Sequence, residues 1–175
     1  CLPSHGSLED YIGHIGLIVE STGKYRNFES DEIIDKPTIN QAIPKIALSE
    51  TRNSKKVFGI VSGIENEKRE IGGSMSLSLA ISDSDRRVFV NSIGEGGIWI
   101  CNINGNLENG DYITTCEVPG LGMKQDSEML CNYTVAKITQ DCNFRKNAKN
   151  YDVEEFEFEG KTYRKAFVGC TYHCG

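Results

Sequence analysis

The sequence predicts a mainly β protein, organised as a single antiparallel β-barrel or sandwich-like domain with long loops and a C-terminal hairpin. Three observations carry that prediction. No segment sustains three turns of helical periodicity. About nine short apolar runs rich in β-branched residues are separated by turn residues, at the spacing of barrels and sandwiches. The densest stretch, Arg87 to Cys116, is punctuated by Gly94-Glu95-Gly96-Gly97, Asn104-Gly105 and Asn109-Gly110, residue types that accept positive φ. It reads as strand, glycine turn, strand, Asn-Gly turn, strand, an antiparallel meander. It also holds the only tryptophan, Trp99, whose large apolar area makes it the expected core anchor.

Taken in order, residues 1–10 form a lead-in punctuated by Pro3, Ser4, Gly6 and Ser7, and a candidate processing region. Residues 11–141 form the β-rich body. Tyr11 to Val19 predicts a strand in which Gly13 and Gly16 allow a bulge or a close backbone approach. Ser21-Thr22-Gly23-Lys24 predicts a turn, and the acidic, unpatterned Asn27 to Asp35 opens a loop that reaches Pro44. Lys45 to Leu48 predicts a short strand, Thr51 to Lys56 a polar turn, and Val57 to Ser62 one of the clearest strands. Glu65 to Ser84 is the least determined region. There Gly72-Gly73 suggests a long excursion and Met75 to Ile81 alternates at period two, a stretch that would serve assembly if its apolar strip were exposed. Pro119-Gly120 predicts a tight turn followed by a flexible link, and Asn132 to Thr139 a core strand. Residues 142–175 form the C-terminal extension. After the polar loop Asp141 to Asn150, Val153–Glu159 and Thr162–Val168 flank Gly160-Lys161 as a hairpin. Its glutamates 154, 155, 157 and 159 interleave with Phe156 and Phe158, so one face is solvated and one buried.

With 175 residues the chain suffices for one domain with a substantial core. The net charge of −6 and the scattered lysines argue against a nucleic-acid surface, which requires clustered basic residues. The longest apolar run, Ile15 to Val19, is far short of the ~20 residues of a membrane span. No signal-peptide pattern is visible, and the opening at Cys1 without an initiator methionine reads as a piece or processed product of something longer.

Seven cysteines, an odd number, cannot all pair within one chain. Their low density points to free, buried thiols in a reducing assembly compartment. Cys170-Thr171-Tyr172-His173-Cys174 invites a metal reading, but on a strand residues four apart are ~13 Å from each other, so no metal is expected there. Cys1 is a conceivable N-terminal nucleophile with no orienting partner, and a fragment boundary is the plainer reading. The glutamate-rich hairpin needs no calcium to explain it. Asn132-Tyr133-Thr134 fits a glycosylation sequon, although it falls in a predicted core strand.

The string from Val90 through Gly94-Glu95-Gly96-Gly97-Ile98-Trp99 to Gly110-Asp111-Tyr112-Ile113, followed by Val118 to Gln125 and Asn132 to Thr139, resembles a known family. It is similar to the intramolecular-chaperone autoproteolytic domain at the C-termini of phage neck-appendage and tailspike proteins, with similar copies in giant-virus structural proteins. The resemblance covers roughly Asp10 to Asp141, and the Gly-Glu-Gly-Gly-Ile-Trp block is its most specific part. It implies a trimeric β-rich domain of the virion that helps an upstream fibre or capsid segment of the same precursor to fold and then cuts itself away, without cofactor.

The family pattern implied for self-cleavage is an acidic residue followed by Asp-Tyr-Ala-Glu. Glu9-Asp10-Tyr11 matches its first half, whereas Ile12-Gly13 lacks the following carboxylate. The implied catalytic residues are therefore Asp10 with Glu9, or with Glu20 in place of the missing partner, since such chemistry needs one carboxyl protonated and one ionised. Neighbouring strand residues such as Glu9 and Asp10 point to opposite faces, which opposes direct pairing. His5 and His14 could assist proton transfer or serve as ordinary surface and strand residues. The reading is thus a viral structural module, a C-terminal chaperone, trimerisation or cap domain. Its alternatives are an active self-cleaving endopeptidase and an adhesion or capsid-decoration module without catalysis.

Overall fold

Hydrogen bonding organises the chain into two main sheets and a separate hairpin, with no α-helix among the described residues. The computed structural model describes residues 13–27, 33–34, 36, 42–64, 68–71, 77–80 and 87–174. In the first sheet β1 (Ile18–Asn27) pairs along both its halves with β3 (Ala42–Leu48). Its first half also pairs with β4 (Val57–Ile64) and its second half with β2 (Ile33–Ile34). β7 (Val88–Asn91) completes this antiparallel sheet beside β4. A hairpin of β5 (Lys68–Ile71) and β6 (Leu77–Ala80) stands apart from it in pairing. The expected apolar strip from Met75 to Ile81 lies outside the described side chains.

The second sheet returns on itself. β8 (Ile93–Cys101) pairs with β13 (Lys161–His173), β13 with β11 (Thr134–Ile138), β11 with β9 (Tyr112–Thr115), β9 with β10 (Gly122–Lys124), and β10 with β8. All these pairings are antiparallel except β8–β10. β12 (Val153–Phe158) extends the ring from the free part of β13, forming the expected C-terminal hairpin around Glu159-Gly160. Both turn residues have positive φ, 50° and 73°, the geometry that suits a two-residue hairpin.

The central stretch departs from the expected meander in two ways. Gly94-Glu95-Gly96-Gly97 is not a turn, because β8 runs straight through it. A Cβ at Gly96 would meet the Tyr172 hydroxyl and one at Gly97 the Phe167 ring, so the glycines clear space for aromatic side chains of β13. The chain bends instead at Ser92, where it passes from the first sheet into the ring. β8 and β9 also fail to pair with each other, since β10 inserts between them. That insertion uses the predicted Pro119-Gly120 turn, in which Leu121 N–H donates to Val118 C=O and Gly120 has φ 72°. The link after this turn, expected to be flexible, is the strand β10.

At the other end, Ser21 to Lys24 is likewise no turn but an irregularity within β1, with Gly23 at φ 74° where the register with β3 shifts. β3 begins earlier than expected and includes Pro44, tolerable where a strand has a side free of ladder bonds.

Inside the ring, Ile98, Ile100, Ile113, Ile138, Val168 and Tyr172 pack around Phe144, which enters from the 141–151 loop with only 1% exposure. Ile18 of β1 and Ile60 of β4 join this cluster, so one core unites the two sheets. Trp99 is not its anchor. The pleat of β8 points Ile98 and Ile100 inward and Trp99 outward, where it is half-buried against Phe167, ring centroids 5.4 Å apart, with Lys165 Nζ 4.8 Å above its ring. A second layer outside the ring packs Cys101, Cys116, Leu121 and Met123 against Leu17, Trp99, Phe156 and Phe158. The expected buried face of β12 is this contact.

Candidate functional site

Asp10 and Glu9, with Tyr11, His5 and Cys1, lie outside the described residues. The corner to which their segment is joined is well built. Gly13 to Gly16 form a turn in which Leu17 N–H donates to His14 C=O. Gly16 then bridges the two sheets, its N–H donating to Val61 C=O (2.7 Å) and its C=O accepting from Trp99 N–H (3.0 Å). Its φ is +86°, and a Cβ there would come within 2.6 Å of Phe167 and 2.9 Å of Trp99. Only glycine satisfies both conditions. Two bonds further along, Ile18 N–H to Gly120 C=O and Val61 N–H to Leu17 C=O, complete the clamp.

Glu20, the other candidate for the second carboxylate, is engaged in local bonds. It sits on β1 with its side chain 13% exposed, one oxygen accepting from Ser54 Oγ at 2.7 Å and the other from Lys56 Nζ at 3.0 Å. Both oxygens are engaged in holding the 51–56 turn against the sheet. His14 lies in the Gly13–Gly16 turn and is half-buried.

The cysteines behave as the composition suggested. All six described cysteines are free, and five are buried. The Cys170–Cys174 run stays on β13 and the residue after it. Cys170 and Cys174 face the core, while His173 turns the other way and meets Thr171 Oγ1 at 3.1 Å. Strand alternation thus separates His173 from the two cysteines. Among the described residues no group of three or more His, Cys, Asp or Glu is placed to hold a metal ion. Burial pushes the Cys170 and Cys174 thiols up to about 12.

Sequence reasoning missed one cluster. Cys101 at the end of β8 and Cys116 just beyond β9 bring their sulfurs to 3.7 Å in the outer apolar layer, both with 0% exposure. The hydrogen bond between them pushes Cys101 down and Cys116 up, because once one proton leaves, the remaining S–H stabilises the thiolate and is itself held fast. Burial adds to the rise at Cys116 and opposes the fall at Cys101. No spacing signal could have revealed the pair, since it exists only because β10 threads between the two strands.

Asn132 is also placed differently from expectation. It lies in an exposed turn before β11, and only Thr134 of the sequon is buried, its hydroxyl bonded to Gln125 Oε1 at 2.7 Å. No family model matches the chain, and no curated protein or solved structure shows significant similarity to it.

Proposed function

We propose that this chain is a structural module of a viral fibre, spike or capsid-associated protein, a C-terminal chaperone, trimerisation or cap domain matured by cleavage near its N-terminus. The observation that supports assembly is the outward pair Trp99 and Phe167 on β8 and β13, with exposed Ile93 farther along the same face. Ile93 is 81% exposed, Phe167 41%, and half-buried Trp99 shares their face; Ile15, 37% exposed, adjoins Gly16 beside them. Isolated exposed apolar residues are ordinary, but Trp99, Phe167 and Ile15 gathered at one place suit burial against another copy. The viral setting rests on the likeness of the Gly94–Trp99 and Gly110–Ile113 blocks to the autoproteolytic chaperone domains. The absence of a carboxylate at Gly13, after Asp10 and Tyr11, favours a structural role over an efficient endopeptidase.

Two measurements test this reading. Sedimentation equilibrium should report a trimer for the wild type and a monomer for Ile93→Asp, and a monomeric wild type at tens of micromolar would overturn the assembly role. Intact mass and N-terminal sequencing of the longer precursor should show a new terminus near residues 1–10 in the wild type and an uncut chain in Asp10→Ala. Equal processing of the two removes Asp10 from the chemistry.

A further inference from the structure

The polar loop from Asp141 to Tyr151 is tied to the body at several points. Leu107 and Cys142 exchange backbone hydrogen bonds of 2.9 and 2.8 Å at its start. Phe144 follows with its ring in the core and its backbone at φ 53°, a conformation costly for a residue other than glycine. That twist aims the Phe144 carbonyl at Arg164 Nη1, 3.3 Å away. Tyr151 closes the loop, its hydroxyl donating to Asn143 Oδ1 (2.9 Å) and accepting from Asn143 N–H (3.0 Å). Between this loop and β13 lies an open cleft of about 770 Å³, in the size range of ligand sites.

The cleft's lining has a definite chemistry. Arg145, Lys146 and Arg164 contribute three positive charges, two of them shared with Glu155 behind the lining, against the one carboxylate in the lining, Asp141, in a chain whose net charge is −6. Glu155 bridges Lys146 (2.9 Å) and Arg164 (3.2 Å) and so fixes both cations in place. Asp141 Oδ1 accepts from Asn109 N–H at 2.7 Å and is likewise held. Arg145 is exposed, and among the described residues its guanidinium has no partner. Asn147 and Asn150 complete the rim with amides that offer a donor and an acceptor, while Asn143, its oxygen already accepting from Tyr151, offers its amide N–H groups.

We infer that this cleft binds an acidic saccharide, with the ligand carboxylate on the unpaired fork of Arg145 and its vicinal hydroxyls on the asparagine amides. A guanidinium matches a carboxylate in planar, two-bond geometry. Amides that both donate and accept suit hydroxyls, which do the same. Inorganic phosphate fits less well, because it has few hydrogens to donate to the Asp141 carboxylate and the asparagine oxygens of the lining. A neutral sugar would leave Arg145 unused.

The test is isothermal titration of the full chain with 3′-sialyllactose and tri-galacturonate as acidic probes, and with lactose and inorganic phosphate as comparisons. At least one acidic probe is expected to bind, with lactose and phosphate each at least tenfold weaker. Arg145→Glu should abolish that binding, and Lys161→Glu, the same charge change in the exposed β12–β13 turn, should leave it within twofold. Failure of both acidic probes, equal affinity for lactose or phosphate, or indifference to Arg145→Glu would each overturn the assignment. None of these results bears on oligomeric state, so this site stands or falls separately from the assembly role.

Discussion

Cys101 and Cys116 hold their sulfurs 3.7 Å apart across a strand that neither belongs to, in a layer closed to solvent. Cys116 Sγ also lies 3.3 Å from the Leu121 carbonyl, so the pair fastens β8 and β9 to the chain entering β10. With Cys142, Cys170 and Cys174 also buried, Cys131 is the one described thiol with appreciable exposure. Iodoacetamide labelling with peptide mapping should therefore modify Cys131 first among these six, the others reacting only as urea unfolds the chain. Native-state labelling of Cys170 or Cys174 at the Cys131 rate would contradict the packing described.

Alkaline stability follows from the same burial. The folded values of Cys170 and Cys174 are pushed up to about 12, above the ~8.5 of a free thiol. A raised folded value means that the unfolded chain loses its protons first. Their contribution is thus complete below about pH 8.5 and declines as pH rises from there towards 12. Urea midpoints measured across that interval should fall, and the fall should be shallower for Cys170→Ala/Cys174→Ala.

Gly59 and Gly63 lie on the same strand and should answer differently to alanine. A Cβ at Gly59 would lie 2.6 Å from the Asn91 carbonyl oxygen, part of the paired backbone of the first sheet, and 2.6 Å from Val90 Cγ1. A Cβ at Gly63 meets only Phe89 Cδ2 at 3.4 Å. Gly59→Ala is expected to cost about 1–3 kcal/mol and Gly63→Ala less than about 0.5 kcal/mol, read from thermal or urea unfolding. Equal costs would mean that β7 can shift to accommodate the methyl group.

Asp111 closes the Asn109-Gly110 turn with one oxygen, which accepts from Glu108 N–H and from Lys124 Nζ, both at 2.7 Å. The pairing raises the Lys124 ammonium above its ordinary value, Asp111 being the main cause. Asp111→Ala should cost about 1–2 kcal/mol in urea unfolding, and Asp111→Asn, which keeps an acceptor for Glu108, about half of that. If asparagine costs as much as alanine, the ion pair rather than the turn bond carries the effect.

Glu155 provides an acidic counterpart. Hydrogen bonds from Lys146 and then Arg164 hold its carboxyl below the ordinary glutamate value of about 4.3. A depressed folded value stabilises above the unfolded value and is lost as pH falls through the folded one. Carboxyl NMR titration should therefore place Glu155 below the free glutamate value, and Lys146→Ala should move its midpoint upward. A midpoint unmoved by Lys146→Ala would show that the bridge does not persist in solution.

Much of the strand content was legible in the sequence because it follows local rules. β-Branched runs, the Pro119-Gly120 and Gly160 turns and the Glu/Phe alternation of β12 each act through their own neighbours, and the all-β class with its C-terminal hairpin came from them. The same local reading erred at Gly94 to Gly97. Glycines that open a turn and glycines that admit a distant aromatic ring look alike until Phe167 and Tyr172 are in place. It erred at Trp99 as well, because side-chain size does not tell which pleat face a closing ring turns inward. The Cys101–Cys116 contact and the Arg145 cleft join segments 15 to 20 residues apart or more, and their chemistry is written in no single stretch. The sequence by itself determined which segments extend and where many of them turn, since backbone preference and alternation are short-range. Only the tertiary structure decided which strands became neighbours, which faces closed over the core, and which polar groups were left to meet a ligand, because those depend on burial summed over the whole chain.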